Sequence, residues 1–252
     1  MCLVFAAYRY VPGYRLLVVA NRDEYHGRAT AAAEYWDDAP AILAGRDLEA
    51  GGSWLGITRD GRFATLTNYR EAVAAYADPP SRGQLVTNFL NGRESTGRFL
   101  AALHGDAHRY NGFNLLVDDG ESLGYCSNRD APQVALEPGL YGLSNHLLDT
   151  PWPKVESGKR RLGALLANGT VPDHETLFGI MRDRVIPPED LWPQTGVPRD
   201  FERVLTPAFV LTAAYGTRAT TLVGLRDDGG GFLLERAFDA DGRELSTVEH
   251  QF

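Results

Sequence analysis

The chain has 252 residues, of which 44% are hydrophobic and 23% charged, the balance of an ordinary globular protein. A formal net charge of −8 with no Lys/Arg-rich block excludes a nonspecific binder of nucleic acid or of anionic membranes. Only Cys2 and Cys126 are cysteines, which excludes a disulfide-stapled secreted scaffold. No stretch approaches the roughly 18 apolar residues of a membrane span, and the N-terminus lacks a basic leader region, so a cytoplasmic protein is expected.

The first expected element is a β-hairpin. Apolar runs Cys2–Tyr8 and Leu16–Ala20 flank Val11-Pro12-Gly13-Tyr14, a turn signal. Pairing across Pro12-Gly13 places Cys2 opposite position 23 or 24. A second hairpin is expected at Trp54–Thr58 and Phe63–Thr67, joined through Asp60-Gly61. Ala72–Pro80 reads as loop. Arg82–Leu103 carries a helical pattern interrupted near Asn91-Gly92. Strands return at Phe113–Val117, Leu123–Cys126 and Tyr141–Ser144. Helices are expected over Pro153–Ala167 and Asp173–Asp183, the second capped by Asp173. Ile186–Thr206, with four prolines, reads as an extended loop. Strands at Ala208–Ala213, Ala219–Leu225 and Gly231–Phe238 close the chain. Hairpins at both ends with helices between them indicate an α+β fold, and no linker divides it, so residues 1–252 read as a single domain.

Cys2 carries the sharpest chemical signal. Removal of Met1 would leave a thiol and an α-amine on one residue, with unperturbed pKa values of about 8.5 and about 8. The amine can then take the thiol's proton, giving a nucleophile with its own base. Taken alone, Cys2 reads first as a small buried residue on a first strand, and it is the rest of the chain that points to chemistry. Asn21-Arg22-Asp23-Glu24 ends the partner strand. There Asp23 can orient the amine and Arg22 can stabilise a thiolate, or the cluster can simply be a solvated strand end. Asn68 and Asn145 each end a strand, as turn residues or as donors to an oxyanion. Arg218 is an edge-strand arginine or a second cation. Gly51-Gly52-Ser53-Trp54 lacks the phosphate-loop lysine and reads as a loop passing close to a pocket, with Trp54 as anchor or lid. The histidines, including the His104/His108 pair, read as surface or capping residues, and no metal or bound cofactor is expected.

On these motifs the chain resembles the NRDE family, also called the transport and Golgi organisation protein 2 family. The likeness runs through Met1-Cys2, Asn21-Arg22-Asp23-Glu24, Gly51-Gly52-Ser53-Trp54, Thr67-Asn68-Tyr69-Arg70, Gly112-Phe113-Asn114-Leu115, Leu143-Ser144-Asn145 and Tyr215-Gly216-Thr217-Arg218. The family is associated with lipid and acyl-CoA metabolism and with haem handling. A further resemblance, to N-terminal nucleophile (Ntn) hydrolases of the penicillin V acylase and bile salt hydrolase group, implies a four-layer αββα sandwich of antiparallel sheets. It matches Cys2 to the nucleophile, Asn145 to the oxyanion asparagine and Arg218 to a late arginine. One departure is that this group places its arginine three residues before its aspartate, where this chain has Ala20, whereas Arg22 directly precedes Asp23.

Two functions follow as expectations. One is an N-terminal-cysteine hydrolase or acyltransferase acting on a linear amide or thioester of a small acyl substrate. Its catalytic residues would be Cys2, Arg22, Asp23, Asn68, Asn145 and Arg218. Asn21, Glu24, Trp54, Tyr69, Arg70 and Asn114 would contact the substrate. The other is a non-catalytic carrier of haem or an acyl-CoA lipid. Whether the chain turns over, and its oligomeric state, stay open.

Overall fold

The computed structural model describes residues 2–72, 76, 78–129 and 134–252. Met1 and part of the expected Ala72–Pro80 loop lie outside the described residues. In chain order the strands are β1 (Cys2–Val11), β2 (Tyr14–Tyr25), β3 (Thr30–Trp36), β4 (Ala39–Asp47), β5 (Leu55–Thr58), β6 (Phe63–Asn68), β7 (Phe113–Asp118), β8 (Leu123–Ser127), β9 (Val134–Ala135), β10 (Gly139–Leu143), β11 (Tyr215–Arg226), β12 (Gly231–Phe238) and β13 (Glu244–Gln251). The helices are α1 (Gly83–Asn91), α2 (Thr96–Asp106), α3 (Pro153–Leu166), α4 (His174–Met181) and α5 (Arg199–Leu205). By contact density the chain forms two compact units, the first holding residues 1–27, 138–144 and 148–252, the second residues 28–137 and 145–147.

The first unit is a six-stranded antiparallel sheet, ordered β10-β1-β2-β11-β12-β13, with α3 and α4 packed on one face. Alternate residues of β1 and β2 (Leu3, Phe5, Leu17, Val19) meet Val155, Leu162 and Leu166 of α3 and Leu177 and Met181 of α4. The helical spacing of the α3 residues gives that helix one apolar stripe. Each such fully buried Leu or Phe contributes about 1.5–3 kcal/mol. Gly158 lets α3 lie flat on the sheet, because a Cβ there would sit 2.0 Å from Cζ of Phe5.

The first hairpin forms where the turn signal places it, but its register differs. Val11 pairs with Tyr14 while Tyr8 pairs with Leu16, so Arg9 and Tyr10 oppose Arg15 alone. This is a β-bulge, and Arg9 takes the left-handed conformation at φ 45°. The extra residue moves every later partner by one, so Cys2 faces Arg22 rather than position 23 or 24.

The second unit is a seven-stranded antiparallel meander, β3 to β9 in sequence order, covered by α1 and α2. Leu85, Phe89 and Leu90 of α1 and Leu100 and Leu103 of α2 pack on Leu66, Phe113, Leu115 and Val117. The two helices break at Gly92, as the pattern requires, and Ser95 caps α2 by accepting from Arg98 N. Asp173 caps α4 by accepting from Thr176 N at 2.9 Å.

Five elements were not expected: β3, β4, β9, β13 and α5. β13 is an exposed edge strand without apolar alternation, and β3 is alanine-rich. α5 lies inside the segment read as extended loop, starting directly after Pro198. The strand expected at Ala208–Ala213 reduces to a single bridge, Leu211 to Gly216. Among the described residues no helix is long and apolar enough to cross a membrane.

Candidate active site

In the first unit, Cys2 and Arg22 are directly opposite across β1 and β2, so their side chains share a face. That face is opposite to the one carrying Leu3 and Phe5 into the helix-packed core. Cys2 is 8% exposed and Arg22 5%. Burial pushes the Cys2 thiol above its ordinary pKa, the charge of the amino terminus and the Arg22 guanidinium oppose this, and the Asp23 and Glu24 carboxylates reinforce it. Burial thus disfavours the thiolate, and a base is needed to make this thiol a nucleophile. The Ser144 hydroxyl donates to the Cys2 carbonyl at 3.4 Å. Cys126 is a contrast: it lies in the second unit's apolar core, and burial alone pushes it up to about 12.

The Tyr215-Gly216-Thr217-Arg218 segment surrounds Asp23. Thr217 pairs with Asp23 and Ala219 with Arg22, which leaves Arg218 as the extra residue of a second irregularity. The Thr217 hydroxyl donates to Asp23 Oδ1 at 2.7 Å, and the Tyr215 hydroxyl donates to the Asp23 carbonyl at 2.9 Å. Arg218 Nη1 donates to the carbonyls of Tyr25 and His26 at 2.9 and 3.1 Å. Burial and the nearby Arg22 charge lower the Arg218 pKa, and Glu24 opposes them. Glu24 itself accepts from Tyr25 N at 2.8 Å. Sequence reasoning singled out this segment for Arg218 alone and missed Tyr215 and Thr217.

Asn21, expected to contact substrate, projects to the other face. Its Nδ2 donates to the carbonyls of Met181 and Ala208 at 2.9 and 2.8 Å, and its Oδ1 accepts from Thr220 at 2.6 Å. It is 1% exposed and ties β2 to the segments after α4 and α5. A buried amide with all three bonds made is a structural clamp.

In the second unit, Asn145, Arg70 and Asn68 come together. Arg70 N donates to the Asn145 carbonyl at 2.7 Å and Arg70 Nη2 to Asn145 Oδ1 at 3.4 Å. Asn145 Nδ2 donates to the Asn68 carbonyl at 2.9 Å. These bonds fix which way the Asn145 amide points, with its oxygen toward the guanidinium. Tyr69 lies against the His146 ring at 4.9 Å, and burial lowers the His146 pKa. Asn114 is fully buried. Its Nδ2 donates to Thr67 Oγ1 and the His146 carbonyl, and its Oδ1 accepts from Tyr125. It therefore braces the 145–147 segment.

Trp54 is 9% exposed, and its carbonyl accepts from Leu66 N and Thr65 Oγ1. The close approach that Gly52 permits is to backbone, not to a pocket: a Cβ there would lie 2.6 Å from the Gly83 carbonyl carbon. Among the described residues no group of three or more His, Cys, Asp or Glu is placed to hold a metal ion.

Two solved structures with a similar fold are N-terminal nucleophile hydrolases. The C2A mutant of the conjugated bile acid hydrolase from Clostridium perfringens matches 99% of this chain and 97% of its own, with a TM-score of 0.54 and 10% identity. The Caenorhabditis elegans ortholog of N-acylethanolamine-hydrolyzing acid amidase matches 88% of this chain and 92% of its own, with a TM-score of 0.50 and 10% identity. The fold class is thus the α+β sandwich of Ntn-hydrolase type. Within that class, the chain belongs to the Transport and Golgi organisation 2 family, whose sequence profile matches residues 1–240. It is 33% identical to the Transport and Golgi organization protein 2 homolog of Homo sapiens, over all of this chain and 99% of that protein. Identity to the Drosophila melanogaster protein is 27%, over 77% of this chain and 75% of that protein.

Proposed function

We propose that the chain is an N-terminal-cysteine hydrolase or acyltransferase acting on an amide or thioester of a small acyl substrate. The observation that carries this reading is the placement of Cys2 at the strand start, directly opposite Arg22, in a fold of Ntn-hydrolase type. The solved neighbours support it: one is an amidase ortholog and the other a hydrolase, the latter solved with its second-residue cysteine replaced by alanine.

In the proposed cycle, the α-amine exposed by Met1 removal accepts the thiol proton, and Cys2 sulfur attacks the carbonyl carbon. The ammonium returns its proton to the leaving nitrogen or sulfur, and an acyl thioester remains on Cys2. Water or an acceptor amine then attacks that thioester and regenerates the thiol. Asp23 holds the ammonium, and Arg22 favours the thiolate against the burial that opposes it. Both cysteines are free, which fits the cytoplasmic setting proposed here.

The test is intact mass followed by turnover. Loss of one methionine from the mass, with Cys2→Ala abolishing hydrolysis of amide and thioester substrates while the fold survives, is expected. Full activity in Cys2→Ala, or a retained Met1, overturns the mechanism. The buried, proton-retaining thiol favours a second reading, a carrier of haem or an acyl-CoA lipid without turnover. That reading predicts ligand affinity unchanged by Cys2→Ala, measured by titration with haemin and with palmitoyl-CoA.

A further inference from the structure

On the helix-covered side of the first sheet, away from Cys2 and Arg22, a cavity of about 220 Å3 runs beside α3. At roughly 30 Å3 per water it has room for about seven water-sized groups. One wall is a flank of α3. Lys154, Ser157 and Arg161 recur there at helical spacing and line the cavity in a row about 10 Å long. The opposite wall comes from the end of α4 and the segments 183–187 and 206–208, where Ile180, Val185 and Pro187 are apolar.

The two ends of the row differ. At one end Arg161 is turned to protein partners: it donates to the Gly179 and Ile180 carbonyls at 3.2 and 3.4 Å and to Asp183 Oδ2 at 3.3 Å. Asp183 is the carboxylate among the lining residues, and Arg161 offsets its charge. Val185, 71% exposed, forms an apolar lip at this end, held to Asp183 Oδ1 through its N–H at 2.9 Å. At the other end Lys154 is 7% exposed, and its Nζ donates to the Leu205 carbonyl, a neutral acceptor, at 2.9 Å. Glu202, the carboxylate on the buried side of α5, is not part of the lining and accepts from Thr195 N at 3.3 Å. The first turn of α3 adds the partial positive charge of a helix N-terminus. One turn on, the half-buried Ser157 hydroxyl makes no hydrogen bond among the described residues.

We propose that this cavity binds a small aliphatic carboxylate, with its acid group at Lys154 and Ser157 and its chain along Ile180 and Pro187 toward Val185. A carboxylate accepts from an ammonium and a hydroxyl at once, in charge-assisted bonds. The chain covers apolar wall that water otherwise wets. The site is separate from the proposed catalytic residues and holds whether or not Cys2 turns over.

The test is titration of the 15N-labelled protein with sodium hexanoate, followed by amide chemical shifts. Saturable shifts are expected at residues 154–161 and 205–208, and none at Arg22 or Asp23. Hexylammonium, which has the chain with the opposite charge, and acetate, which has the charge without the chain, give none at equal concentration. Lys154→Met weakens hexanoate binding by about tenfold or more. Ser157→Trp, which fills the cavity from a half-buried helix position, abolishes it. Thermal melts establish that both variants fold, and Ser157→Trp carries the test alone if Lys154→Met does not. No saturable shift below about 10 mM, shifts centred on Arg22 and Asp23, an equal response to hexylammonium, or unchanged binding in folded Ser157→Trp each overturns the proposal.

Discussion

Replacing Asn21 by alanine tests whether a buried polar residue on the strand that faces the candidate nucleophile serves chemistry or architecture. The side chain makes three buried bonds, at 2.9 Å to the Met181 carbonyl, 2.8 Å to the Ala208 carbonyl and 2.6 Å from the Thr220 hydroxyl. Alanine leaves all three partners without Asn21 in a region that water does not reach. An orphaned buried polar group costs about 1–3 kcal/mol. Counting each at the lower end, because the Thr220 hydroxyl can rotate, Asn21→Ala loses about 3 kcal/mol. Against a total stability of about 5–15 kcal/mol, that is a large fraction. Asn21→Asp is expected to be at least as severe, since it aims a carboxylate at two carbonyl oxygens. The assay is equilibrium urea unfolding, compared at equal m-value so that the shift in midpoint reads stability. A loss below about 1 kcal/mol would refute the clamp and return Asn21 to the substrate-contact role expected from its motif.

Gly158→Ala places a methyl 2.0 Å from Cζ of Phe5, and a ring in a packed core cannot retreat, so a clear fall in Tm is expected by calorimetry. Gly52→Ala meets backbone at 2.6 Å and should also lower Tm. Cys126, pushed up to about 12 by burial, should resist iodoacetamide at pH 8 in the folded protein, and peptide mapping after alkylation would show it unmodified. Asp119 gives a pH prediction. Burial raises its pKa, but hydrogen bonds from Thr96, Ser122 and Glu121 N–H groups outweigh this and leave it depressed. A depressed carboxylate contributes stability that is present above its unfolded pKa of about 3.9 and is lost as pH falls through the folded value. Asp119→Asn should therefore flatten the acid limb of the stability–pH curve below about pH 4 and cost stability at pH 7.

Local patterns in the sequence determined a good part of this protein. Pro12-Gly13 between apolar runs made a hairpin there, because only a tight turn satisfies that polar gap. The spacing of Val155, Leu162 and Leu166 made α3 amphipathic, and Gly92 had to break the helix before α2. The strand-end clusters Asn21–Glu24, Asn68–Arg70 and Ser144-Asn145 marked where chemistry was to be sought, and the motif order marked the family. What only the tertiary structure decided were the quantities that depend on distant partners. One added residue at Arg9–Tyr10 shifted the pairing so that Cys2 met Arg22, and a bulge of that kind leaves no hydrophobic pattern to read. A buried asparagine looks the same in sequence whether it faces a ligand or two carbonyls far along the chain. Asn21 and Asn114 thus became braces when Met181, Ala208 and His146 arrived beside them. Thr217 gained its place beside Asp23 the same way, through a strand pairing that spans nearly the whole chain. β13 escaped notice because an exposed edge strand needs no apolar face, its pairing being satisfied by backbone bonds to β12 alone.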